Sequence, residues 1–129
     1  MELIFFDIKH MDPRVHRRMT GVDNRLILEN AIRIVREKLP LVIRVPLIPT
    51  VNDDVASIKA IAAFVSEKLG GALGVEVLPY HMLGKGKYGA IGLEYPLAHL
   101  VPTDTASIAQ ARTVFQDLGV VNLYFGSAP

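Results

Sequence analysis

Apolar residues along this chain fall into short unbroken runs that alternate with longer stretches of helical spacing. Leu3–Phe6 is such a run, aromatic and β-branched, and it reads as a buried strand ending in the polar group Asp7-Ile8-Lys9-His10. Asp12-Pro13 then marks a turn or a helix start. Ile27, Leu28, Ala31, Ile32, Val35 and Leu39 make one apolar stripe, which Asp23 or Asn24 can cap and Pro40 stops. Leu41–Val45 reads as a second buried strand with Arg44 inside it, and Pro46 and Pro49 bracket its exit. Asn52 or Asp53 opens the next helix, whose stripe is Ile58, Ile61, Ala62, Val65 and Leu69, and Gly70-Gly71 ends it. Val75–Leu78 predicts a third strand that leads into Pro79-Tyr80-His81. Met82–Pro102 is too rich in glycine and proline for one long helix and reads as a functional loop. Thr103 can cap a final helix with Ile108, Ala111, Val114, Phe115 and Leu118 facing inward, and Val120–Phe125 can form a last strand.

Strands that alternate with helices predict an α/β fold with a mostly parallel sheet. Three such units are about half of a closed eight-stranded barrel, or part of an open α/β sheet. No linker or low-complexity segment divides the 129 residues, a length that suits one core. The first strand starts at once after Met1, with nothing before it to pair its free side. A long apolar strand at an open edge is an aggregation hazard. The expectation is therefore a fragment, or a chain whose edge a partner covers, with edge-strand self-association as one route.

Charge and composition narrow the function. Fourteen basic and 13 acidic side chains leave a formal charge of +1, which argues against a mainly electrostatic nucleic-acid binder. No run of eighteen apolar residues is present to predict a membrane span. Glu2, Asp7, Lys9 and His10 interrupt the apolar character a signal peptide needs. A cytoplasmic protein is the default expectation. With no cysteine, the chain itself offers no disulfide, thiolate zinc site, cysteine nucleophile or thiolate-held iron–sulfur cluster.

In parallel α/β folds, ligands bind at the carboxyl ends of the strands. Each predicted strand carries an ionisable residue there: Asp7 and Lys9, then Arg44, then His81. Residues two apart on a strand share a face, so Asp7 and Lys9 point the same way and suit a zwitterionic ligand or a cation. The plainer alternative is a structural Asp–Lys pair or a solvated strand end. A guanidinium in an apolar strand needs an anion, either a ligand carboxylate or merely Asp7. His81 alone is weak, although its place after a strand raises its standing. His10, His16 and His99 lack metal-ligand spacing. Arg14, His16, Arg17 and Arg18 read as a solvated helix face, and the glycine-lysine run 84–89 lacks the Walker spacing.

Several stretches, in order, carry a resemblance. They are Asp7-Ile8-Lys9-His10-Met11-Asp12, His16 with Thr20-Gly21-Val22, and Asn24 with Ile27-Leu28-Glu29-Asn30. They continue with Ile43-Arg44-Val45-Pro46-Leu47-Ile48-Pro49, Asn52-Asp53, Leu78-Pro79-Tyr80-His81, Leu83-Gly84, Lys87-Tyr88, Gly92 and Tyr95. The chain thereby resembles the C-terminal half of the glycyl-radical-enzyme activating enzymes, of which the pyruvate formate-lyase activating enzyme is the best-known member. The resemblance implies a radical S-adenosylmethionine oxidoreductase on a partial (β/α)6, TIM-like barrel. In that family a CxxxCxxC loop near the N-terminus holds a 4Fe–4S cluster. The cluster cleaves S-adenosylmethionine, and the 5′-deoxyadenosyl radical takes a hydrogen atom from a glycine of the partner enzyme.

On this alignment residues 1–129 supply barrel strands four to six and the closing helix, and the cluster-binding part is absent. The resemblance places Asp7 and Lys9 at the methionyl end of S-adenosylmethionine, with Asp7 also a candidate ligand for a monovalent cation. Arg44 faces the same cofactor and His81 its nucleoside part. It implies a glycyl-radical enzyme such as pyruvate formate-lyase as partner and an electron donor such as flavodoxin. The 83–95 segment is expected near the barrel mouth, where the partner docks. Without cluster cysteines, this chain alone is expected to bind the cofactor weakly and to run no radical chemistry. Rival readings are an activase for a different glycyl-radical enzyme, such as a diol dehydratase or a decarboxylase, and a non-catalytic half-barrel for binding or assembly. A weaker rival is a barrel enzyme that uses Lys9 or His81 in acid–base chemistry.

Overall fold

The computed structural model describes residues 3–79, 103–120 and 122–126. Strand β1 (Ile4–Asp7) leads to helix α1 (Pro13–Thr20), helix α2 (Arg25–Arg36) and strand β2 (Leu41–Leu47). Helix α3 (Val55–Lys68) and strand β3 (Gly74–Pro79) follow, and then helix α4 (Thr105–Asp117) and strand β4 (Leu123–Phe125). All three strand pairings are parallel, and the order in the sheet is the order in the chain, β1-β2-β3-β4. The α/β expectation therefore holds. Parallel strands joined through helices cross over with a right hand. When each new strand is added on the same side, the helices all land on one face. In a doubly wound sheet the order reverses and both faces are covered; among the described residues it does not reverse.

The two faces differ accordingly. Leu41, Ile43, Val45 and Leu47 of β2 and Val75 and Val77 of β3 point into the core. There they meet Ala31 of α2, Ile58, Ile61, Ala62 and Val65 of α3, and Ala111 and Phe115 of α4. The alternate residues, Phe5 and Asp7 of β1, Val42 and Arg44 of β2, Glu76 of β3 and Tyr124 of β4, lie on the opposite face. None of them belongs to the core, and Phe5 and Tyr124 are exposed. Gly74 lies on that face where β3 meets β4 closely: a Cβ there would stand 3.0 Å from both the Asn122 carbonyl oxygen and the Tyr124 ring.

The helix starts differ from the expected caps. α3 is capped by Asp54, whose carboxylate accepts from the Ser57 N–H, rather than by Asn52 or Asp53. α4 is capped in the same way by Asp104 rather than Thr103. Thr103 is buried, and its hydroxyl donates across the fold to the Leu47 carbonyl at 2.7 Å. Asn24 stands at the start of α2 without capping it, while Asp23 accepts from the Arg25 N–H. α1, left open as a turn or helix start, is a full helix closed by Gly21 at φ +86°, where a side chain would be strained.

His16 corrects the reading of a wholly solvated basic face. Arg14, Arg17 and Arg18 are exposed, but His16 points inward and is buried. Its Nδ1 donates to the Val22 carbonyl at 2.7 Å, which ties the end of α1 to the turn before α2.

Among the described residues β1 forms one edge of the sheet, since β4 pairs with β3 and not with β1. His81 and the loop read at Met82–Pro102 lie outside the described residues.

Candidate functional site

Charged side chains gather on the open face of the sheet, at the carboxyl end of β1 and the middle of β2. Asp7 and Arg44 are register partners, and Arg44 in turn pairs with Glu76 on β3, so three ionisable residues cross the sheet in one row. Each occupies a position of the open face, flanked along its own strand by core-facing residues. Strand alternation is what puts charge here without burying it in the core.

Lys9 follows the strand, and its ammonium returns to the Asp7 carboxylate at 3.5 Å. The Lys9 side chain is only 11% exposed, against 34% for Asp7. The two side chains do meet, but β1 ends at Asp7, so the contact is made from the segment after the strand rather than by alternation along it, and a structural Asp–Lys pair would look the same. Arg44 is different. Its expected anion was a ligand carboxylate or Asp7, and the structure supplies Glu76, whose Oε1 accepts from Arg44 Nε at 3.0 Å. The guanidinium also lies over the Phe5 ring, 4.1 Å from its centroid, an arrangement that favours arginine over lysine. Glu76 and Phe5 were thus missed. The signal for Glu76 was its acidic side chain between Val75 and Val77 in an apolar strand.

A second polar cluster supports the segment after β1. His10 Nδ1 accepts from the Asp12 N–H at 3.0 Å, so the ring proton lies on Nε2, 3.2 Å from the Ser57 hydroxyl. The Ser57 hydroxyl donates its own hydrogen bond to Asp54 Oδ1 at 2.7 Å. The hydroxyl therefore points away from the imidazole, and the trio braces the chain rather than forming a nucleophile. Burial is the largest influence on His10 and holds its imidazole below the ordinary 6.5, against the pull of Asp12 and Asp54. Burial pushes the Asp54 carboxyl up, but the hydrogen bonds from the Ser57 hydroxyl and N–H bring it below its usual value.

A histidine held below its ordinary value binds its proton more readily in the unfolded chain. Its contribution to stability is full above pH 6.5 and declines as the pH falls below that value toward the folded one. Urea unfolding between pH 7.5 and pH 5 is expected to show this loss, and His10→Gln to show a smaller one. Equal slopes in both proteins would contradict the assignment.

Among the described residues no cluster of three histidine, cysteine or carboxylate side chains is arranged to hold a metal ion, and no helix is long and apolar enough to cross a membrane. The row Asp7, Arg44, Glu76 with Lys9 offers cations for a ligand carboxylate and carboxylates for a ligand ammonium. It suits an amino-acid head group with both charges.

No protein-family model matches the chain. Individual relatives do. The (2S)-3-sulfopropanediol dehydratase activating enzyme of Klebsiella oxytoca is 42% identical over 100 residues, 77% of this chain and 32% of that protein. The isethionate sulfite-lyase activating enzyme of Desulfovibrio desulfuricans is 36% identical over 122 residues, 92% of this chain and 38% of its own. A solved domain of the pyruvate-formate lyase-activating enzyme from Bacteroides vulgatus superposes with a TM-score of 0.79 at 28% identity. That match covers 98% of this chain and 68% of the domain. The chain belongs to the glycyl-radical-enzyme activating enzymes. It spans between 32% and 38% of the length of these curated relatives. A 4-hydroxyphenylacetate decarboxylase activating enzyme of Clostridioides difficile, 34% identical over 122 residues, belongs to the same set. The resemblance read from Asp7-x-Lys9 through Leu78-Pro79-Tyr80-His81 thus named the right family.

Proposed function

We propose that these residues form the C-terminal part of an activase that generates a glycyl radical on a partner enzyme, and that their open sheet face is the wall against which S-adenosylmethionine binds. The observation that carries this reading is the row of Asp7, Arg44 and Glu76 across the open face of three adjacent parallel strands, with Lys9 returned to Asp7 at the carboxyl end of β1. Helices on one face and a bare opposite face suit β1–β3 as strands four to six of a partial barrel whose interior holds the ligand, with β4 added after the closing helix.

The donor set fits the methionyl head of the cofactor. The Lys9 ammonium and the Arg44 guanidinium can face its carboxylate, and Asp7 its ammonium or sulfonium. Each charge-assisted hydrogen bond of that kind contributes about 1.5–3 kcal/mol. Phe5 and Glu76 hold the guanidinium in place, so little side-chain freedom is lost on binding. His81 is the proposed nucleoside contact. When bound, S-adenosylmethionine would supply the adenosyl group that abstracts hydrogen. A 4Fe–4S cluster does not fit these residues, because the chain has no thiolate.

The proposed partner is a glycyl-radical enzyme, with a flavodoxin-like protein as electron donor and the cytoplasm as the place of work. Sequence relatives at 34–42% identity are named for a dehydratase, a sulfite-lyase and a decarboxylase, which favours an activase for an enzyme other than pyruvate formate-lyase. The edge of β1 is the proposed surface for completing the sheet, with another part of the protein or with a second copy.

Anaerobic reconstitution of this chain with iron, sulfide and a reductant, followed by a 5′-deoxyadenosine assay, tests the division of labour. No product is expected from the chain alone. Product formed without an added cysteine-bearing part would overturn the reading.

A further inference from the structure

The loop after β1 is held by two buried asparagine side chains, both of which looked like helix openers in the sequence. Asn52 is fully buried and makes three hydrogen bonds. Its Nδ2 donates to the Lys9 carbonyl at 2.8 Å and to the Pro46 carbonyl at 2.7 Å, and its Oδ1 accepts from the Ile48 N–H at 2.7 Å. Asn24, also buried, donates from Nδ2 to the next two carbonyls, His10 at 2.9 Å and Met11 at 2.8 Å. Three successive carbonyls are thus fixed by side-chain amides from segments 13 and 43 residues away.

We propose that Asn52 is a positioning residue that sets Lys9 against Asp7, by locking the Lys9 carbonyl to the exit of β2. Two backbone carbonyls and one N–H converge on a site closed to water, and a carboxamide is the side chain that offers two donors and an acceptor on one small group. A carboxylate keeps the acceptor role but sets its charge against two carbonyl oxygens. An apolar residue leaves three backbone groups unpaired. The turn that delivers Asn52 is itself strained, because Thr50 is β-branched and sits at φ +65°. Such a conformation persists where surrounding contacts over-determine it, and the Asn52 side chain bridges that turn to β1. That Lys9 faces a cofactor rests on the preceding section; that Asn52 sets Lys9 does not.

The test reads Lys9 directly. The full 129-residue chain and its Asn52→Asp variant are treated with limiting acetic anhydride, and acetylation at each lysine is followed by mass spectrometry. In the original protein Lys9 should react slowly beside exposed Lys59. In Asn52→Asp its rate should rise roughly tenfold, the scale of one or two lost hydrogen bonds, with Lys59 unchanged. An unchanged Lys9 rate in a folded variant overturns the proposal, as does a rise shared equally by all lysines, the mark of general loosening. Should the variant not fold, the original protein decides. A through-hydrogen-bond scalar coupling between Asn52 Nδ2 and the Lys9 carbonyl carbon is expected by NMR, and its absence overturns the assignment. S-adenosylmethionine binding is read separately. If the original chain shows the coupling but does not bind, the cofactor reading fails and the positioning role stands.

Discussion

Replacing Lys9 with methionine is expected to leave the fold as stable as before, or more so, while weakening S-adenosylmethionine binding ten- to a hundredfold. The Lys9 ammonium is largely removed from water, at a cost of several kcal/mol for an isolated ion. Its partner Asp7 stands 3.5 Å away, longer than a good charge-assisted hydrogen bond, so the attraction offsets only part of that cost. Methionine keeps the length of the side chain and removes the charge. The binding loss corresponds to one charge-assisted contact of about 1.5–3 kcal/mol. Asp7→Asn should act in the opposite sense on the fold, because it leaves the ammonium without its anion. The expected cost is about 1 kcal/mol, kept small by the one-third exposure of Asp7. Urea denaturation with isothermal titration checks all three statements. A clear loss of stability in Lys9→Met with unchanged binding would make the pair structural.

The second large effect lies on the other face of the sheet. Phe115 of α4 is 1% exposed and belongs to the core with Val75, Val77 and Ala111. Phe115→Ala removes a ring from a packed interior, at an expected cost of about 3–5 kcal/mol. A domain of this size has only about 5–15 kcal/mol in all. Phe5→Ala, an equal truncation on the open face, should cost far less, since Phe5 is 44% exposed. Equal losses from the two variants in urea denaturation would contradict the division into a packed face and a bare one.

The packed helix faces were legible because an apolar stripe is set by local geometry, and Ile58, Ile61 and Phe115 were found that way. The bare sheet face was not, because Leu3–Phe6 and Leu41–Val45 are unbroken apolar runs that read as buried strands, whereas pairing leaves Phe5 44% exposed. The Asp7–Lys9 approach was expected from a spacing of two along a strand, but β1 ends at Asp7 and the approach comes from the segment that follows it. What escaped depends on register between strands, which no single segment encodes. Arg44 meets Glu76 because β2 and β3 pair with those residues opposite, 32 positions apart in the chain. Asn24, Asn52 and Thr103 escaped for a related reason. Residues that cap helices are the same short polar residues that satisfy buried backbone groups, and only the tertiary fold shows which task each performs. The family was carried by ordered motifs, and no physical pattern in the chain yields radical chemistry by itself.

The central claim is that the charged row across β1, β2 and β3, with Lys9 beside it, binds S-adenosylmethionine. An NMR titration of the isotopically labelled chain with that cofactor tests it most directly. The account predicts weak, saturable shifts centred on Asp7, Lys9, Arg44 and Glu76, which disappear in Lys9→Met. No shift at these residues at millimolar cofactor, or shifts centred on the helical face, would contradict it.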